Sequence, residues 1–286
     1  MVVVIGATGR MGSEVVKALI AKGEKVRALV RDPQRAGAIQ VPGVELVVGD
    51  VEKPDTWDAA LQDVDKVFLL SPEGPQMAEQ HGKFADAAKR AGVRHLVRMS
   101  ILVSNPDSPL VIGKWHGEAD QNVANSGIPY TIIRPTYLMQ NLIGSARMIA
   151  SDGAFSGAMG NGKVGVIDTR DVGNVAATVL TSDDHEGKTY PLTGPEALSM
   201  GELAGKLSAV LGKEVKYVNV SQEDAKADMM AMGMPDWMAD GWVAIAMMIS
   251  TGAANIVTPM VKEVIGEEPR SFDQFARDHA DAFRVG

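Results

Sequence analysis

The sequence predicts an α/β fold, a doubly wound parallel sheet followed by a smaller α+β lobe. Three observations carry this. Short apolar runs rich in Val and Ile alternate with amphipathic stretches through the first half of the chain. A glycine-rich turn joins the first run to the first amphipathic stretch. Gly23, Gly92 and Gly127 each stand just past an amphipathic stretch, where a helix commonly ends in left-handed backbone.

The runs at 2–5, 25–30, 44–48, 67–70, 95–99 and 130–133 read as strands. Sequences such as Val-Val-Val-Ile and Val-Phe-Leu-Leu are apolar at every position rather than every second one, as a sheet covered on both faces requires. Helical spacing falls at 11–21, 57–61, 76–91 and 115–125. Strand and helix in strict alternation, with right-handed crossovers, give the doubly wound arrangement. Beyond residue 150 the regularity weakens. Strand-like pieces at 164–167, 188–192 and 215–220 mix with helices at 171–180 and 199–211, and residues 224–248 hold seven of the sixteen methionines. The expected division is 1–150 for a sheet domain and 151–286 for a lobe with segments returning to the first domain.

The 286 residues are 45% hydrophobic and 22% charged, which is ordinary for a globular chain and argues against disorder. Twenty-eight Lys and Arg against 36 Asp and Glu leave a net charge of −8, a poor match for nucleic acid or anionic membrane. No cysteine is present, which excludes disulfides, thiol nucleophiles and Cys-based metal sites. The start, Met1-Val-Val-Val-Ile, lacks the basic residues and cleavage site of a signal peptide. The apolar stretch 242–257 is interrupted by Ser250, Thr251, Gly252 and Asn255 and is too short to span a bilayer. A cytoplasmic protein is expected, as a monomer or homodimer.

Gly6-Ala7-Thr8-Gly9-Arg10-Met11-Gly12 follows the first strand and opens the first helix. Gly6 permits the turn, Gly9 lets backbone approach a pyrophosphate, and Gly12 lets the helix pack closely; Thr8 can brace the loop. The helix N-terminus then offers N–H groups and the positive end of its dipole to the phosphates. This is the dinucleotide-binding turn of a Rossmann fold. Arg31 at the tip of the second strand suits the 2′-phosphate of NADP better than the ribose diol of NAD, Asp32 reads as the start of the next turn, and Arg10 offers a second cation. NADPH is the expected cofactor, with NADH possible. Asp50 ends the third strand and Leu70, Ser71 and Pro72 the fourth, which places them at the adenine and the nicotinamide ribose respectively.

The glycine turn, Val30-Arg31-Asp32-Pro33, Gly49-Asp50-Val51 and Ser126-Gly-Ile-Pro-Tyr-Thr-Ile-Ile-Arg-Pro135 resemble the NmrA-like group of atypical short-chain dehydrogenases/reductases, especially its quinone reductase and triphenylmethane reductase branches. Thr258–Gly266 and Arg270–Phe275 extend the resemblance to the end of the chain. It implies a reductase acting through bound NADPH on a small aromatic acceptor, or else a non-catalytic, NADP(H)-binding redox sensor, since the group contains both. Related enzymes often carry Ser or Thr at the position of Ser100 and, in some, Lys in the region of His116.

Carbonyl-reducing relatives pair Tyr with Lys four residues later, so that the tyrosine passes a proton to the carbonyl oxygen. Four residues after Tyr130, Tyr137, Tyr190 and Tyr217 stand Arg134, Asn141, Gly194 and Ser221. The pair is absent. A quinone, azo or triarylmethane acceptor delocalises the incoming charge and needs that proton less, so the chain is read as a reductase of flat conjugated acceptors working by proximity. Ser100, His116 and Tyr137 are the candidates for a catalytic role, although a lone histidine on an amphipathic helix is more often structural. Pro135 and Tyr137 follow the sixth strand, where they would border the nicotinamide, and Asn141 could bond an acceptor oxygen. Met234 and Trp237, in the methionine-dense stretch, would form an adaptable apolar wall for the acceptor or, equally, the packing of a capping helix. The five histidines show no ligand spacing, so no metal is expected, and one glycine turn does not imply flavin.

Overall fold

The computed structural model describes residues 1–284. In chain order its strands and helices are β1 Val2–Ile5, α1 Arg10–Ala21, β2 Val26–Val30, β3 Val44–Val48, α2 Trp57–Leu61, β4 Lys66–Leu69, α3 Met77–Arg90, β5 His95–Met99, α4 Val111–Asn125 and β6 Tyr130–Pro135, followed by β7 Tyr137–Leu138, α5 Ala146–Asp152, β8 Ala154–Gly157 and β9 Lys163–Ile167. They continue with α6 Thr169–Thr181, β10 Lys188–Leu192, β11 Ala197–Ser199, α7 Met200–Leu211, β12 Lys216–Asn219, α8 Gln222–Ala231, α9 Asp236–Ser250, α10 Met260–Ile265 and α11 Phe272–Asp278.

Two units result. The first comprises Met1–Pro135, Thr169–Leu192 and Met260–Glu267, and the second Thr136–Asp168, Thr193–Pro259 and Glu268–Gly286. The first unit is a Rossmann-like α/β fold. Its seven strands run β10-β6-β5-β4-β1-β2-β3, and each neighbouring pair is parallel. The order reverses between β1 and β4, which opens a crevice at the carboxyl ends of the strands. Val3 and Ile5 pack with Phe84 of α3 and Val123 of α4 in one core, while the alternate residues Val2 and Val4 are buried on the opposite face of the pleat. Gly23, Gly92 and Gly127 take φ of +80°, +85° and +73° at the helix ends where the sequence places them.

The return of Thr169–Leu192 to this unit has a visible cause. A Cβ at Gly173 of α6 would lie 2.9 Å from the backbone of Glu14 in α1, so the two helices cross at a distance only glycine permits. The strand read at 188–192 then continues the parallel sheet, Lys188 opposite Thr131 through Leu192 opposite Pro135.

The second unit holds a three-stranded sheet, β11-β9-β7, and the parallel pair β12-β8. Leu142, Ile149, Phe155, Val166, Leu203 and Phe272 belong to its core. Ser199 and Glu202 form a reciprocal cap on α7, and Ser221 and Ser271 cap α8 and α11. The methionine-dense stretch resolves into α8 and α9, with Met232 in the turn between them 74% exposed. No helix among the described residues is long and apolar enough to cross a membrane.

Candidate functional site

The first unit carries a cleft of about 280 Å³ at the carboxyl ends of four adjacent strands. Gly6, Thr8 and Gly9 form one side, and Leu29, Val30 and Arg31 come from the end of β2. Asp50 and Val51 follow β3, and Leu70, Ser71 and Pro72 follow β4. The glycines are sterically required. Gly6 has φ +76°, and a Cβ there would lie 2.7 Å from the Leu70 carbonyl oxygen. A Cβ at Gly12 would collide with the Gly6 carbonyl and stand 2.9 Å from the Ala7 Cα. Gly9 caps α1 without any side-chain hydrogen bond, so the positive end of the helix is left for an anion.

At the tip of β2, Arg31 is exposed and faces the cleft. Asp32 instead accepts from the Gln34 N–H at 2.9 Å and caps the next turn. Asp50 is fixed by its own loop: its carbonyl accepts from Trp57 Nε1 at 3.1 Å, and its carboxylate from the Glu52 N–H at 3.1 Å. A backbone-lined anion end, an exposed arginine and two strand tips fit a nicotinamide dinucleotide with a 2′-phosphate. Of the residues read from sequence, Gly6, Thr8, Gly9, Arg31, Asp50, Val51, Leu70, Ser71 and Pro72 come together here. Arg10, Met11 and Gly12 make the first turn of α1, with Met11 and Gly12 buried. Pro135 is buried at the end of β6, where its carbonyl accepts from Leu102 N–H at 3.1 Å, and is not a cleft wall.

Beneath the cleft lies a buried polar cluster. Arg98, fully buried on β5, pairs with Asp120 of α4. The same carboxylate accepts from Ser100 Oγ at 3.0 Å, Ser104 Oγ at 2.6 Å and Arg134 Nη2 at 2.7 Å. Ser100 is therefore committed to Asp120. His116 is buried too, with Nδ1 3.3 Å from Arg98 and Nε2 3.4 Å from Glu73. His81 bridges Arg98 and Ser71. Burial draws Arg98 down to about 10 against the opposing pull of Asp120, so it stays cationic at neutral pH. Burial, with Arg98 close by, holds His81 well below the usual histidine value. Burial lowers His116 as well, although Glu73 opposes it.

Sequence reasoning missed Arg98, Asp120, His81, Ser104 and Glu73. One signal was available: His95 and Arg98 interrupt a strand whose parallel neighbours demand burial, so Arg98 needs a buried counter-ion.

These buried histidines set a pH dependence. His95 is lowered by burial from 6.5 to about 4, and like His81 and His116 it takes up a proton more readily once unfolded. Unfolding therefore binds protons between the two values, and the stability held above pH 6.5 declines as the pH falls below it. The slope is about 1.4 kcal/mol per pH unit for each ring that stays neutral. Urea unfolding midpoints at about pH 7 and about pH 5 should differ accordingly; equal midpoints would show that these rings titrate normally.

In the second unit, Tyr137 pairs with Val166 in the small sheet and packs against the core. Asn141 lies in the 3₁₀ helix Met139–Ser145. Met234 and Trp237 are half-buried at the turn between α8 and α9, where the Met234 N–H donates to the Met229 carbonyl at 3.1 Å. Among the described residues no group of three or more acidic or histidine side chains could hold a metal ion.

The NmrA-like family model matches residues 1–268. The NAD(P)H azoreductase of Xenophilus azovorans is 41% identical over 283 residues, 99% of each chain. The NADPH-dependent quinone oxidoreductase of Escherichia coli, solved in complex with NADPH, superposes with a TM-score of 0.87 at 32% identity, over 98% of this chain and 100% of that one. The Citrobacter sp. triphenylmethane reductase complexed with NADP(H) gives 0.84 at 28% identity, with the same coverage. The glycine turn, the strand order and the full-length match agree: the chain belongs to the NmrA-like family.

Proposed function

We propose that this protein is an NADPH-dependent reductase of quinone, azo or other flat conjugated acceptors, acting in the cytoplasm as a monomer or homodimer. The observation that carries the reading is the cleft itself, a glycine turn, an uncapped helix end and Arg31 converging on one crevice. Relatives named for azo, quinone and triphenylmethane reduction support the acceptor class. When bound, NADPH supplies the hydride from its nicotinamide ring. Gly6, Thr8, Gly9 and the first turn of α1 (Arg10, Met11, Gly12) receive the pyrophosphate, Arg31 the 2′-phosphate, and Asp50 and Val51 the adenosine. Leu70, Ser71 and Pro72 border the nicotinamide side and keep water from it. Tyr137, Asn141, Met234 and Trp237 are read as acceptor contacts, with Tyr137 also at the reacting end. No lysine follows a tyrosine at the four-residue spacing, so the chain lacks the usual proton donor for a simple ketone.

NADPH oxidation by the purified protein, measured with quinones, azo dyes and triarylmethane dyes against simple ketones, tests the reading. Turnover confined to the conjugated acceptors is expected. Tight NADPH binding with none turned over would point to a sensor of the NADPH/NADP⁺ ratio.

Arg31→Glu should weaken NADPH by about 1.5–3 kcal/mol, the scale of a charged hydrogen bond, and leave NADH nearly unchanged. Paired titrations of the two cofactors check this; equal losses would remove Arg31 as the reader of the 2′-phosphate. Trp237→Ala should raise KM for bulky aromatic acceptors severalfold with NADPH affinity unaltered. Steady-state kinetics with one large and one small quinone separate that from a general loss of folding.

A further inference from the structure

Arg98 meets three partners through three different nitrogens. Nη1 pairs with Asp120, Nε donates to His81 Nδ1 at 2.9 Å, and Nη2 lies 3.3 Å from His116 Nδ1. A guanidinium has donors only, so both imidazole Nδ1 atoms accept, and in each neutral ring the single proton sits on Nε2. Both Nε2 atoms face the short segment that follows β4. His81 Nε2 is 2.8 Å from Ser71 Oγ, whose own proton goes to the Pro72 carbonyl at 3.1 Å, and His116 Nε2 is 3.4 Å from Glu73 Oε1. Hydrogen bonds thus run outward in one direction, from Arg98 through the rings to Ser71 and Glu73. Shifting the His81 proton to Nδ1 would reverse the Ser71 hydroxyl and deprive the Pro72 carbonyl of its donor.

We propose that Arg98 is a positioning residue, which fixes His81 and His116 in the Nε2–H tautomer and through them holds Ser71, Pro72 and Glu73 as a wall shaped for the nicotinamide end of the dinucleotide. The second half rests on the cofactor reading above. An ion pair alone would need only a cation opposite Asp120. The two imidazoles need a planar fork of fixed geometry, which arginine has and lysine lacks. The arrangement inverts the way an outer partner fixes a metal-bound histidine: there the partner accepts the ring N–H, whereas Arg98 donates to Nδ1 and leaves the Nε2–H aimed at a hydroxyl and a carboxylate.

The test reads ring nitrogens by NMR in ¹⁵N-histidine-labelled, cofactor-free protein, alongside NADPH titrations. The wild-type protein should show His81 and His116 protonated on Nε2 alone. Arg98→Lys should give mixed tautomers at both rings and an NADPH Kd roughly 10-fold higher, equivalent to about 1.4 kcal/mol. His81→Gln, whose amide can donate toward Ser71, should bind NADPH within about threefold of wild type, whereas His81→Leu should show the roughly 10-fold loss. A wild-type proton on Nδ1 of either ring overturns the proposal, and so does an Arg98→Lys protein with unchanged tautomers and NADPH affinity. If Arg98→Lys does not fold, the wild-type spectrum and the two His81 variants decide. Because the spectra need no cofactor, wild-type protein with these tautomers that binds no NADPH overturns the cofactor reading and leaves the tautomer assignment supported.

Discussion

Asp120→Ala is expected to destabilise the first unit by about 3–5 kcal/mol, the usual cost of leaving a buried charge without its partner. Asp120 is 4% exposed and accepts from Arg98, Ser100, Ser104 and Arg134. Its removal strands the Arg98 guanidinium, which is completely enclosed, and leaves two buried hydroxyls without an acceptor. Asp120→Asn keeps the shape and some hydrogen bonding but not the charge, so an intermediate loss is expected. Replacing both members of the pair, Arg98→Met with Asp120→Leu, should recover only the part lost to the stranded guanidinium, because Ser100, Ser104 and Arg134 still lack their acceptor and the two histidines lose their anchor. Urea unfolding of the three variants checks the series. A loss below about 1 kcal/mol for Asp120→Ala would place the pair among weak surface-like contacts and contradict its burial.

The second large effect is on the cofactor. Gly12→Ala adds one methyl group where the Gly6 carbonyl and Ala7 backbone already fill the space, and neither neighbour is a flexible side-chain end. The loop must move, and it is the loop proposed to meet the pyrophosphate. NADPH Kd should rise on the order of 100-fold, about 2.8 kcal/mol. Gly205→Ala serves as control, since a Cβ there meets nothing within 4 Å and the glycine lies within helix α7 of the second unit. It should bind NADPH normally and be slightly more stable, because alanine favours helix by up to about 1 kcal/mol. Isothermal titration of both proteins reads the contrast. Near-normal binding by Gly12→Ala would mean that the dinucleotide does not lie on this loop.

Much of the first unit was legible because each signal was local. Residues 44–48, 57–61 and 95–99 coincide with observed elements, since a β-rich run or a helical face is written in neighbouring residues. The same holds for the strand-end cleft: a glycine turn, an arginine at one strand tip and an aspartate at the next are each read where they stand. Residues 188–192 show the limit. Their strand character was legible, but their parallel partner, Tyr130–Pro135, lies more than 50 residues away, and the close crossing at Gly173 that brings them back has no local signature. The buried cluster failed to appear for the same reason. Ser71, His81, Arg98, His116 and Asp120 come from the segment after β4, two helices and a central strand, and only the sheet order assembles them. Ser100 and His116 were singled out from the resemblance, and both lie in that cluster, bonded to Asp120 and Arg98.

In the proposed reaction, NADPH held in the strand-end cleft passes its hydride directly to a flat conjugated acceptor. The most direct measurement is a single turnover. Protein loaded with one equivalent of NADPH is mixed rapidly with excess quinone, and the absorbance of the reduced nicotinamide is followed in time. A full-amplitude decay is expected, with a rate that saturates with quinone concentration, together with no decay when a simple ketone replaces the quinone. Bound NADPH that persists in the presence of quinone, azo and triarylmethane acceptors alike would contradict it.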